Sequence, residues 1–384
     1  MFTKKKFLLI SLYVVFLVLL FEGSARLAFK IPQVKKTLFV GDELGWRRWW
    51  VNRHKYTGKE IYYKFDIYDR TKGWVSKPNL KDMTVFDDKI LNTNSKGLRG
   101  KNEYLYGKNQ NKIRILVLGD SFTFGDEVSD NETYSYYLQE MMPQSEVINL
   151  GMHGYGHDQM LTLFKEEGIK YKPDIVILGF LPMDMSRNLL NFRDYAKPKF
   201  VLDNNKLRLT ANHVPSPEET MQWDWARPRL FDIFSIVRHK LNIMSGSHTR
   251  KANNITTAIL TEIIELTDSI DAIPMFAYLP DVYANEIKDV TTFTSGENYL
   301  FGMCQTNDKV RCFSTRSSFA EKLAKGVTFK KFGHWGPAGH LAIAEAIKHY
   351  LVNNEGYVAL RNSLEMSDIS KPNKTAIPSQ NSGH

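Results

Sequence analysis

The run Ile113-Arg-Ile-Leu-Val-Leu-Gly119 is β-branched and aliphatic almost throughout and stops abruptly at Gly119-Asp120-Ser121. An apolar run of that length, bounded by a turn signal, reads as a strand buried on both faces, the kind found in parallel sheets covered by helices. The Phe122-Thr-Phe-Gly125 that follows can turn helical. Such a strand delivers its last residues to the crevice at the carboxyl ends of an α/β sheet, where ligands bind. Ser121 is therefore a candidate nucleophile, and its partners must come from elsewhere in the chain.

Strand and helix patterns alternate after this point. A helix is predicted around Tyr134–Met142, a strand over 146–149, a glycine-rich loop at Gly151-Met-His-Gly154-Tyr-Gly156, a helix over 159–171 and a strand over 174–180. Residues 189–253 are polar and break the rhythm, with a helix over 230–241; they read as an insertion shaping the cleft. The rhythm resumes with a helix over 256–269, strands over 273–279 and 310–314, and a last helix over 337–351. This order predicts an α/β fold, a three-layer α/β/α sandwich around a flavodoxin-like parallel sheet. The domain spans 109–355, after an aromatic-rich lead-in at 30–108. A polar tail at 356–384 is expected to be mostly disordered.

The N-terminus sets the compartment. Lys4, Lys5 and Lys6 precede the uncharged run Phe7 to Phe21, followed by Glu22-Gly-Ser-Ala25-Arg26. A basic segment before an apolar run marks a transmembrane signal anchor, here 1–29, or a cleaved secretory signal. Both place the remaining chain outside the cytoplasm, and the anchor reading predicts a single-pass membrane protein. The net charge of +9 is concentrated in residues 1–77, which hold 16 Lys/Arg against 6 Asp/Glu. Basic residues beside a membrane meet anionic headgroups, whereas a nucleic-acid binder carries its patch on the folded domain. No nucleic-acid partner is expected. Trp46, Trp49 and Trp50 fall at helical spacing and suit packing on the main domain, an interfacial collar or a sugar-stacking platform. The two cysteines, Cys304 and Cys312, suit a disulfide in an oxidising compartment.

Several chemistries drop out. No Gly-x-Ser-x-Gly surrounds Ser121, no Walker loop exists, and Gly151-x-x-Gly154-x-Gly156 has the wrong spacing for a dinucleotide fingerprint. No cofactor is expected. His153 and His157 stand four apart among glycines without a third ligand, so no metal is expected either. What survives is His334, in a loop just before Pro337, a residue suited to a first helical turn. From there it could reach a serine at the sheet's carboxyl ends and act as general base.

Together these blocks resemble the SGNH/GDSL hydrolase superfamily, in particular its membrane-anchored bacterial members, which with the anchor implies a bacterial inner-membrane protein with a periplasmic domain. The resemblance covers about residues 70–355. It rests on Gly119-Asp120-Ser121 with Phe122-Thr-Phe-Gly125, on Gly73-Trp74, Lys77-Pro78-Asn79 and Asn94-Ser-Lys-Gly97-Leu-Arg99-Gly100, on Asn149-Leu-Gly151-Met-His-Gly154, and on His334-Trp335 with Gly339-His340. It implies that Ser121 attacks an ester carbonyl, that His334 takes its proton, and that the N–H groups of Ser121 and Gly154 hold the oxyanion. Asp120 is expected to brace the serine loop through backbone N–H groups.

Two positions depart from that pattern. The third block carries Met183 before Asp184 where an asparagine donor is usual. Lys331 and Phe332 stand where an aspartate usually orients the histidine. The losses could be made good by Asp184, Arg187 or Asn188, by a backbone carbonyl, or by a partner protein. The resemblance implies an extracytoplasmic serine esterase or O-acyl (acetyl) transferase acting on glycan or other esters. The alternative is a catalytically impaired relative that binds glycan or scaffolds an envelope-polymer assembly with protein partners.

Overall fold

A computed structural model describes residues 4–31, 33–34, 43–57, 65–86, 88–107, 111–281, 286–330 and 333–369. Helix α1 (Lys4–Ala28) is apolar, long enough to cross a bilayer, and unburied over its apolar stretch. Helix α2 (Glu43–Thr57) follows. Two hairpins come next, β1 (Asp66–Asp69) with β2 (Gly73–Ser76) and β3 (Met83–Val85) with β4 (Lys89–Leu91).

The α/β body begins with β5 (Ile113–Gly119), a short α3 (Ser121–Phe124), α4 (Tyr134–Met141) and β6 (Ser145–Gly151). It continues through α5 (His157–Glu166), β7 (Ile175–Phe180) and α6 (Asp184–Arg187). A hairpin of β8 (Phe200–Asp203) and β9 (Lys206–Leu209) leads to α7 (Pro217–Ala226), α8 (Arg229–Met244) and α9 (Ser247–Asp268). The chain closes with β10 (Ile273–Tyr278), α10 (Ser295–Gln305), β11 (Arg311–Ser314), α11 (Arg316–Ala324), α12 (Pro337–Val352) and α13 (Glu355–Ile369).

The central sheet is entirely parallel, in the order β11-β10-β7-β5-β6. This is the flavodoxin-like order. The run that opens the sequence reading supplies its middle, and the two-residue period of the strand divides it between layers. Ile113, Ile115 and Val117 pack with Leu138, Ile343 and Ile347 of α4 and α12. Leu116 and Leu118 face Leu161, Phe164, Ile259 and Ile263 of α5 and α9. Both faces are covered, which is why β5 tolerates no polar alternation.

Three boundaries differ from expectation. The segment read as a disordered tail begins with α13: Tyr357 is buried and Leu360 packs beside it, an apolar i, i+3 pair hidden in polar composition. The insertion read as ending at 253 ends inside α9, which starts at Ser247. Predicted helix 159–171 is α5 plus a 3-10 turn at Gly168–Tyr171.

The lead-in packs on the body. Trp50 is buried edge-on against Phe192 and Tyr195, while Trp49 is half exposed and edge-on to Trp46. Packing thus accounts for Trp50. Cys304 and Cys312 are joined, with Cα atoms 6.3 Å apart.

Candidate active site

After β5 the chain leaves toward β6 on one side, and it returns to β7 on the other. The crevice between β5 and β7 is the switch point at which ligands bind in such sheets. Asp120 stands at the tip of β5 and caps α3, its side chain accepting the Phe122 N–H at 3.0 Å, as expected for a brace. Ser121 is then the first helical residue, so its own N–H has no intrahelical partner. The hydroxyl lies in the crevice, with the residue 5% exposed.

His334 reaches this hydroxyl: its Nε2 is 2.7 Å from Ser121 Oγ. The Phe122 ring packs against the imidazole at 4.6 Å between centroids. On the far side, His334 Nδ1 is 3.1 Å from Glu127 Oε1. His334 therefore has a carboxylate behind it, and that acid comes from beyond the serine block instead of from the residues before the histidine. Lys331 and Phe332 lie outside the described residues.

Glu127 is held in place from several directions. It adopts the left-handed backbone (φ 65°) in the turn that follows α3. Arg99 clamps that turn, donating to the carbonyls of Gly125 (3.1 Å) and Val128 (2.7 Å) and pairing with Asp130 at 2.6 Å. Gly333 has φ 84°, and a Cβ there would stand 2.6 Å from both Glu127 carboxylate oxygens. Lys330 pairs with the same carboxylate. Partial burial would raise the Glu127 pKa, but hydrogen bonds from Lys330 and His334 outweigh it and hold the carboxyl below its usual range. It is thus an anion at neutral pH. The adjacent Asp126 carboxylate lies 3.9 Å from His334 Nε2, on the serine side, and burial pushes its pKa up.

The second block is pinned by the lead-in. Trp74 donates its indole N–H to the His153 carbonyl at 3.0 Å, and the Tyr155 hydroxyl returns a bond to the Trp74 carbonyl at 2.6 Å. Gly154 sits between them at φ 73°, where a Cβ would run into the Asp194 carboxylate. Glycine meets both demands.

In the third block, Met183 is 38% exposed, and its sulfur is 3.6 Å from Arg187 Nη2. Arg187 is shared by two buried carboxylates: Nη1 lies 3.1 Å from Asp120 Oδ2 and 2.6 Å from Asp184 Oδ1. Burial pushes the Asp184 carboxyl well above its usual range, and the proximity of Asp120 adds to the push. Asp184 and Arg187 therefore join the serine loop through Asp120. Asn188 does not. Its amide donates to Thr256 Oγ1 at 2.7 Å and meets His157 Nδ1 at 3.2 Å, holding the α5 end to α9. The expectation that Asn188 could support the cleft is corrected on that ground.

Three other histidines, His153, His157 and His340, are buried and accounted for by packing. His153 Nε2 pairs with Asp66 at 2.8 Å; burial opposes its charge, but Asp66 overrides this and holds the imidazole up at about 9. Burial pushes His157 and His340 down to about 3. No grouping of three metal-ligating side chains occurs among the described residues.

Reasoning from the sequence missed Glu127 and Asp126. Both carboxylates follow Gly125 within six residues of Ser121, but nothing in that spacing pairs either of them with His334. Only the folded turn brings the Glu127 carboxylate to His334, from 207 residues away.

No family model matches the chain, and no curated protein matches it. Among solved structures, it aligns with a lipolytic protein of the G-D-S-L family from Desulfitobacterium hafniense at 15% identity and a TM-score of 0.33, over 62% of this chain and 99% of that one. An acetyl xylan esterase aligns at 14% identity and a TM-score of 0.37, over 62% of this chain and 98% of that one. A variant of an acetyl-xylooligosaccharide esterase from Geobacillus gives 16% identity and a TM-score of 0.37, over 63% and 95%. The substrates in those names belong to those proteins; what this chain itself presents is a parallel sheet of flavodoxin-like order with a serine, a histidine and a glutamate in hydrogen-bonding sequence at its switch point.

Proposed function

We propose that this protein is an SGNH-type serine esterase or O-acyl transferase that acts on acylated glycans or other esters outside the cytoplasm. The observation that carries this reading is the chain of contacts Ser121–His334–Glu127, at 2.7 and 3.1 Å. Nucleophile, base and orienting acid each have the partner the chemistry needs.

In this mechanism Ser121 Oγ attacks the ester carbonyl carbon while its proton passes to His334 Nε2. Glu127 stabilises the resulting imidazolium through Nδ1–H. The N–H groups of Ser121 and Gly154 receive the oxyanion. Collapse of the tetrahedral intermediate expels the alcohol, which takes the proton from Nε2 and leaves an acyl-Ser121. Water in a hydrolase, or a sugar hydroxyl in a transferase, then attacks the acyl carbon as His334 takes the new proton. Ser121 Oγ leaves and is reprotonated. Asp120, Arg187 and Asp184 position the serine turn.

The impaired-relative reading is supported by Met183 alone, a thioether where a hydrogen-bond donor is usual. Losing one such donor costs on the order of 10²–10³ in turnover, which slows an enzyme without silencing it. The test is hydrolysis of p-nitrophenyl acetate by the full chain in detergent or nanodiscs, with release of acetate from acetylated xylan and mannan measured alongside. Turnover that Ser121→Ala removes is expected. No turnover above that of Ser121→Ala on any ester would favour the glycan-binding scaffold.

A further inference from the structure

We propose that α8, with the end of α7, is a membrane-surface pad that lies on the lipid leaflet next to the point where α1 leaves it. The inference rests on the reading of α1 as a membrane anchor.

The end of α1 is built into the fold. Glu22 accepts the backbone N–H groups of Arg229 (2.9 Å) and Leu230 (3.0 Å), the first two residues of α8. The residue before α8 is Pro228, which offers no side-chain cap, so Glu22 supplies one from another helix. Arg26 pairs with Glu22 at 2.7 Å and donates to the Arg227 carbonyl at 3.2 Å. Phe29, just past α1, is buried with Leu44 and Ile236. Removal of α1 at Gly23-Ser-Ala25 would strip α8 of its cap, so this packing favours an anchor that is retained.

Helix α8 then carries an apolar face that no described residue covers. Phe231, Phe234, Val237, Leu241 and Met244 are each at least half exposed, from 50% for Val237 to 83% for Met244. At roughly 100° per residue, the last four fall within an arc of about 80°. The buried Asp232 and Ile236 lie on the other side and hold the helix to the body. Lys240 and Arg238 stand about 40° beyond the two edges of that arc. Near the start of α8, Trp223 and Trp225 are 68% and 82% exposed. An exposed apolar stripe bracketed by cationic side chains, with tryptophans at its end, is the pattern of a helix lying in a bilayer interface. The occupant is specified by continuity: the same α8 is capped by the helix that enters the bilayer. Its first turn therefore sits where the apolar part of α1 ends.

The test uses the full chain in vesicles of phosphatidylethanolamine and phosphatidylglycerol. Both native cysteines are disulfide-bonded, so single cysteines can be labelled with an environment-sensitive nitrobenzoxadiazole at Val237→Cys, Leu241→Cys, Leu12→Cys within the anchor, and Lys206→Cys on the β8–β9 hairpin. Lipids carrying a spin label near the headgroup are expected to quench the 237 and 241 labels by more than half and to leave the 206 label unchanged, while lipids spin-labelled deep in the acyl chain quench the 12 label. Water-like, unquenched emission at 237 and 241 with a quenched 12 label would overturn the pad while the anchor stands. An unquenched 12 label would overturn the anchor and the pad together. Labels at 237 and 241 shielded only as protein density in the vesicle rises would assign the stripe to a second copy and also overturn the proposal.

Discussion

Replacing Glu127 by glutamine removes the charge behind His334 while keeping size and hydrogen-bonding capacity. The effect can be worked from the site. During acyl transfer the imidazole becomes a cation with the Glu127 carboxylate against Nδ1, at 3.1 Å. Two unit charges about 4 Å apart at an effective dielectric of about 20 attract by about 4 kcal/mol. The Glu127 side chain is 25% exposed and shares its charge with Lys330, so roughly half of that, about 2 kcal/mol, is available to the transition state. At 1.36 kcal/mol per decade this is a loss of about 30-fold in kcat. It is smaller than the roughly 10⁴ seen when a fully buried orienting aspartate is neutralised in the serine-protease template. The assay is steady-state ester hydrolysis with kcat and KM separated, and KM is expected to stay within about twofold because Glu127 stands behind His334, on the side away from Ser121. A downfield proton resonance from His334 Nδ1–H should be present in the native protein and absent in Glu127→Gln. Glu127→Asp, which keeps the charge, should recover part of the loss. A loss below about threefold in a folded Glu127→Gln variant, with the proton resonance unchanged, would refute the role given to this residue.

Other outcomes follow from the same contacts. Lys331→Asp or Phe332→Asp, the repairs that the sequence alone suggests, should leave turnover unchanged because Nδ1 already faces Glu127; a tenfold gain in kcat would contradict that. Met183→Asn should raise kcat by roughly tenfold if it returns a donor to the oxyanion, and an unchanged rate in a folded variant would show that no donor is missing there. Lys197 and Asp158 form a pair without solvent exposure, and Lys197 also donates to the carbonyls of Arg187, Leu190 and Pro198. Lys197→Met should therefore cost about 3–5 kcal/mol in denaturant unfolding, with most of it recovered by adding Asp158→Leu. His153 is held up at about 9, above the ordinary histidine value near 6.5, so its folded form binds a proton more tightly than its unfolded form. Its stabilising contribution is complete below about pH 6.5 and fades as pH rises through 9. The melting temperature of the native protein, compared with His153→Gln over that window, should show the gap closing.

The strand that stops at Gly119-Asp120-Ser121 was legible because burial on both faces leaves an unbroken apolar run. The β5–β7 crevice followed from the alternation after it. His334 was legible too, through the glycine and proline punctuation around it. Glu127 was not, since catalytic geometry is made by turns, and no local pattern says that a left-handed residue after a four-residue helix will meet a loop 207 positions away. Arg99 shows the same limit: its motif was visible, but its clamp on the 125–130 turn exists only once the lead-in has folded back. Asn188 errs in the other direction, its amide being taken up by Thr256 and His157 in packing that sequence spacing does not display. The tail was misjudged because Tyr357 and Leu360 are two apolar residues in a polar segment, and their value depends on the surface they meet.

The central claim is that Ser121 is a nucleophile activated by His334, and fluorophosphonate labelling followed by intact-mass analysis tests it most directly. The native full chain should gain one phosphonyl group, mapped to Ser121 in the peptide that follows Gly119-Asp120. His334→Ala should label at least a hundredfold more slowly, and Ser121→Ala not at all. A native protein that stays unmodified while circular dichroism shows it folded, or one modified equally fast without His334, would contradict the account.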